Sequence, residues 1–75
     1  MVIPLSNLSQ GRQARIVWMA LPDKQKSLLS QWGFEEGVPI ACVHKGRGRG
    51  LSAYQIRHKV IALRPGDANG IFVKR

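Results

Sequence analysis

The hydrophobic positions of this chain change their spacing several times, and each change marks an element. Between Pro4 and Gly11 the only apolar side chains are Leu5 and Leu8, set among Ser6, Asn7, Ser9 and Gln10. That stretch reads as a lead-in with one helical turn, ending at Gly11. Ala14 to Ala20 follows, with β-branched Ile16 and Val17 beside Trp18, and its length and composition predict a strand. Pro22 and Asp23 suit a first helical turn, where a missing N–H costs nothing and an acid meets the positive end of the helix dipole. Leu21, Leu28, Leu29 and Trp32 then recur at helical spacing, with Lys24, Gln25, Lys26, Ser30 and Gln31 elsewhere. The predicted helix covers about residues 22–32. Gly33 supplies its left-handed stop and turns Phe34 back against Leu29.

After Gly37 the period falls to two. Val38, Ile40 and Cys42 share one strand face, which reaches His44. The tract Gly46-Arg47-Gly48-Arg49-Gly50 interrupts the alternation as a hairpin loop. Leu51 to Arg57 and Val60 to Arg64 are the next strands, Pro65 to Gly70 is a turn or single helical turn, and Ile71 to Val73 is a last strand. Five short strands and one helix predict a mainly β fold, a small, strongly bent barrel. Its expected core includes Leu29, Trp32, Phe34, Ile40, Leu63, Ile71 and Val73, with Trp18 beside them.

Length makes this one domain, residues 1–75. With 44% hydrophobic residues the chain has more apolar content than disorder allows. The longest apolar run, Ile16 to Leu21, is far below the roughly 20 residues of a membrane span. Pro4, Asn7 and Gln10 break up any leader-like start, and a single cysteine forms no internal disulfide, so a cytoplasmic setting is expected. The net charge of +8 is uneven: residues 1–43 contribute +1 and residues 44–75 contribute +7. Such a balance favours an anionic partner, whether nucleic acid, lipid headgroups or an acidic protein face.

Three segments together carry a resemblance. Pro4-Leu5-Ser6-x-Leu8-x-x-Gly11, then Leu29-x-x-Trp32-Gly33-Phe34-x-x-Gly37, then Leu63-Arg64 with Ala68, Ile71 and Val73 stand in the order and spacing of the FeoA family, ferrous iron transport protein A. The chain resembles that family from about residue 3 to residue 74. The resemblance implies an SH3-like barrel and a cytosolic accessory of bacterial ferrous iron uptake. It also implies a partner, the cytoplasmic, guanine-nucleotide-binding part of the membrane transporter FeoB. A similar barrel forms the C-terminal domain of some iron-dependent repressors, but no DNA-binding helix pair is visible here. Two positions depart from the family pattern. Glu36 stands where many members have proline, and Lys45 to Gly50 is purely basic where they carry an acidic residue.

The residues offer little for catalysis. Cys42 with His44 or His58 is the only nucleophile and base pairing, with Cys42 and His44 expected on one side of their strand, but Cys42 continues an apolar face. Of the four carboxylates, Glu35 and Glu36 are neighbours in a turn and Asp23 and Asp67 lie far off in sequence, so no enzyme is expected. For metal, His44 and His58 are weak candidates without ligand spacing, and Lys45, Arg47, Arg57 and Lys59 repel a cation; no cofactor is expected, and ferrous iron lacks a ligand set. The GRGRG tract leads into a strand, so it is not a phosphate loop; it reads as a mobile, solvated hairpin tip able to dock. Lys45, Arg47, Arg49, Arg57 and Lys59 are the expected partner-binding residues, with Tyr54 as an exposed aromatic anchor among them. A protein-binding module of iron transport is the leading expectation, peripheral to the membrane through its partner. A basic nucleic-acid-binding barrel is the alternative, and a short edge strand such as Ile71 to Val73 leaves self-pairing open.

Overall fold

In the computed structural model, which describes residues 1–75, the alternating segments join into one antiparallel sheet of six strands. These are β1 (Val2–Pro4), β2 (Gln13–Met19), β3 (Pro39–His44), β4 (Ser52–Ile56), β5 (Lys59–Leu63) and β6 (Ile71–Lys74). Their order across the sheet is β1-β6-β2-β3-β4-β5, so β1 and β5 are its two edges. The sheet rolls up: the molecule measures 27 × 24 × 23 Å, nearly equal in all directions. The helix expected at 22–32 is α1 (Asp23–Gln31), and Pro65 to Ala68 form the single helical turn α2. A 3-10 turn over Leu5–Asn7 realises the lead-in.

The sixth strand, β1, went unforeseen because three residues have no period to detect. It exists through its partner: Val2, Ile3 and Pro4 pair with Lys74, Val73 and Phe72. The two chain ends therefore run side by side, and the Arg75 N–H reaches the Met1 carbonyl at 3.4 Å.

Fourteen buried apolar residues form one core, among them Leu5, Leu8, Ile16, Phe34, Ile40, Cys42, Tyr54, Ile56, Ile71 and Val73. Each large side chain taken fully out of water contributes about 1.5–3 kcal/mol. The alternation that feeds this core is interrupted twice. Between Ile16 and Trp18 the β2–β6 register slips, and between Cys42 and His44 the β3–β4 register slips. An extra residue in a strand moves everything after it to the other face. The inward positions of β2 are thus Ile16 and Met19, and Trp18 is turned out, 54% exposed. Trp18 therefore leaves the expected core. Trp32 does too, at 36% exposure.

The end of α1 follows the expected motif. Gly33 has φ +100, its N–H bonds to the Ser30 carbonyl, and the Phe34 N–H bonds to the Leu29 carbonyl at 3.0 Å. This is the pair of bonds that defines a Schellman stop, and it delivers Phe34 into the core beside Leu29.

Candidate docking site

Three elements meet around one groove. α1 buries Leu29 alone, so the rest of its apolar face is left over: Leu28 is 49% exposed and Trp32 lies half open. Opposite stand Ala62 and Leu63 of the edge strand β5, and Leu51 at the end of the β3–β4 loop closes the groove. The volume enclosed is about 290 Å³, with Gln25, Arg64 and Asp67 at the polar end. There it adjoins a second depression of about 430 Å³, which shares Gln25, Arg64 and Asp67 with it and is also lined by Arg49 from the loop, Pro65 and Gly66. An apolar floor thus continues into a cationic mouth. Because β5 is an edge, its outer N–H and C=O groups have no strand partner. A larger concavity of about 460 Å³ over β3 is more open, and Val38, Pro39 and Ile40 line it together with Gln13, Gln55 and Arg57.

The β3–β4 loop is built rather than slack. The Gly50 N–H bonds to the Arg47 carbonyl at 2.8 Å, and the Gly46 N–H bonds to Ser52 Oγ at 2.9 Å. A methyl group on Gly46 would collide with the Leu51 carbonyl oxygen, so the closure of the loop requires glycine there. Arg47, Gly48 and Arg49 are presented to solvent on this frame.

The residues singled out in the sequence divide into two groups. Arg47, Arg49, Arg57 and Lys59 are exposed. Arg57, at φ +54 in the β4–β5 turn, pairs with Glu35 at 3.4 Å, both side chains being more than half exposed. Lys45 and Tyr54 need correction. The Lys45 ammonium is drawn inward to the carbonyls of Ser6 and Leu8, and the Lys45 backbone N–H donates to Gln10 Oε1 at 2.9 Å. It ties the lead-in to the end of β3 instead of facing a partner. Tyr54 is 1% exposed. It pairs with Cys42 across β3 and β4, on the inner face, so it cannot serve as a surface anchor. Burial pushes its phenol above the ordinary value; Ser52 draws it partly back, and Cys42 adds to the rise.

Chemistry at the remaining positions is sparse. Cys42 is fully buried, whereas His44 emerges past the slip at Val43 on the solvent side. The two were expected on one side of the strand; the bulge separates them. His58 is also exposed, in the β4–β5 turn. No three His, Cys, Asp or Glu side chains gather as a metal-binding group, and no helix is long and apolar enough to cross a membrane.

Compared with known families, the sequence matches the FeoA domain over residues 3–75. The chain belongs to the FeoA domain family. That family is associated with ferrous iron transport. Among solved structures, an iron uptake regulatory protein, FeoA, superposes with TM-score 0.90 at 22% identity, covering 99% of this chain and 97% of that one. FeoA of Stenotrophomonas maltophilia in complex with zinc, described as a prokaryotic SH3 domain protein, superposes with TM-score 0.80. It is 27% identical, over 99% of this chain and 89% of that one. A manganese-dependent transcriptional repressor shares the fold at 12% identity, TM-score 0.89, over 97% of this chain and 41% of that one. No curated protein matches the sequence. The fold of the domain is thus an SH3-like barrel, as the strand pattern and the family motifs implied.

The groove itself escaped sequence reasoning. Leu28, Trp32 and Leu51 look like ordinary core residues in the sequence, and the one available signal was that a nine-residue helix with Leu28 and its C-terminal Trp32 left over caps a very small barrel.

Proposed function

We propose that this FeoA domain is a non-catalytic docking module of bacterial ferrous iron transport, acting on the cytoplasmic part of the FeoB transporter. The observation that carries the reading is the apolar groove beside the open edge of β5, with arginines at its mouth. An extended segment of the transporter adds to β5 through backbone hydrogen bonds, which recognise no sequence. Its apolar side chains fill the space between Leu28, Trp32 and Leu51, and its acids meet Arg49 and Arg64. Arg47, Arg57 and Lys59 contribute longer-range attraction that speeds encounter more than it tightens binding. Docking acts on transport only through a difference in affinity for two states of the transporter. Iron is in this reading the cargo of the transporter, and the domain works at the cytoplasmic face without holding a cofactor.

The test is titration calorimetry with the purified cytoplasmic part of the transporter. Reversing the loop with Arg47→Glu and Arg49→Glu is expected to weaken binding at least tenfold while Tm stays almost unchanged, since both side chains are solvated. Leu28→Asp with Leu51→Asp is expected to abolish it. Native affinity in both double variants would place the interface elsewhere.

A further inference from the structure

The outer face of β1, β6 and β2 carries a second surface, which shares no residue with the groove. Strand register sets Pro4, Phe72 and Trp18 side by side in one row, and Val2, Lys74 and Arg15 in the next. Residues paired across antiparallel strands share a face, and so do residues two apart along a strand. All six therefore stand on one side of the sheet, Trp18 because of the slip after Ile16. Trp18 and Phe72 stack with ring centroids 5.1 Å apart and planes at 21°, yet Trp18 and Val2 remain 54% and 53% exposed. The three strands hold Arg15 and Lys74 and no acid, and Arg75 follows directly. Arg15 donates to the Gly37 carbonyl while staying exposed.

We propose that this face seats the domain on an anionic lipid surface. An exposed indole, apolar in body with one N–H, is the side chain that settles at headgroup depth. Cations in the neighbouring row supply the attraction to acidic headgroups. Other occupants fit less well. Trp18 and Phe72 turn ring faces toward each other, which leaves one free face where a nucleic-acid platform offers separate rings to successive bases. Six side chains also fall well short of the roughly 20–30 residues per side of a stable protein interface. A shallow, reversible contact with lipid needs no such area, and the net charge of +8 favours approach to an anionic surface.

The experiment is co-sedimentation of the purified chain with vesicles of phosphatidylcholine, with and without phosphatidylglycerol, at near-physiological salt. Binding is expected only when phosphatidylglycerol is present. Arg15→Gln with Lys74→Gln is expected to lower the partition about 30-fold, roughly fivefold for each cation. Arg47→Gln with Arg49→Gln, off this face, is expected to lower it much less. In a Trp32→Phe chain, where Trp18 is the sole tryptophan, emission is expected to shift to the blue on binding. Equal binding to neutral vesicles, no spectral shift on sedimentation, or greater loss from the loop variant than from the face variant would each overturn the proposal. So would a single-stranded oligonucleotide that the face variant releases while vesicle binding persists, or a dimer that Trp18→Ser dissolves while vesicle binding persists.

Discussion

Tyr54 shows how far one residue's neighbourhood outruns its place in the sequence. In the chain it lies among Arg49, Arg57 and Lys59; in space it faces Cys42 inside the barrel. Its alternation with Ser52 and Ile56 carried the right answer, but the surrounding charge outweighed that pattern. As the sole tyrosine it can be followed by its phenolate absorbance. Its folded pKa is raised by burial above the ordinary value of about 10, so the native titration is expected to fall at higher pH than that of the unfolded chain. The sign for stability follows. The contribution of Tyr54 is whole below about pH 10 and is lost as pH rises from there through the folded pKa. Tyr54→Phe should flatten that alkaline loss, and a native titration at or below the unfolded one would contradict the burial. Lys45 teaches the same lesson with opposite sign: its charge suggested solvent, and two carbonyls hold it in.

At the level of elements, the sequence was legible wherever a local rule decides. Strand periods, the helix and its glycine stop all appear where periodicity and capping put them. What periodicity cannot show is an inserted residue, and the two register slips account for Trp18 facing outward and for His44 parting from Cys42. A three-residue edge strand such as β1 was equally out of reach. The candidate site was half legible: the exposed arginines of the loop were visible, and the groove near them was not, because it depends on how little of α1 the barrel covers. The stop of α1 is the most exacting local feature. Gly33 has φ +100, and a methyl group there would approach Arg57 Cδ to 3.1 Å. Gly33→Ala is expected to destabilise the domain by about 1–2 kcal/mol, mostly from the left-handed backbone. A urea melt measures it, and an unchanged midpoint would mean that the motif does not set the helix end. The Arg57–Glu35 pair, being exposed, is worth at most about 1 kcal/mol.

For the molecule as a whole, the excess of base is distributed over more than one surface, so the net charge alone never pointed to a single partner. The groove mouth draws on Arg49 and Arg64, while the outer face of β1, β6 and β2 draws on Arg15 and Lys74. A last property belongs to the chain's topology. Since β1 and β6 pair along their length and Met1 meets Arg75, the barrel begins and ends at one point on its surface. A host protein could therefore accept it within a loop, as a bead clipped onto a thread, without stretching either end. Joining the present ends by a few glycines and opening the chain at Gly48 should yield a circular permutant with the native circular-dichroism spectrum. A permutant that fails to fold would contradict this.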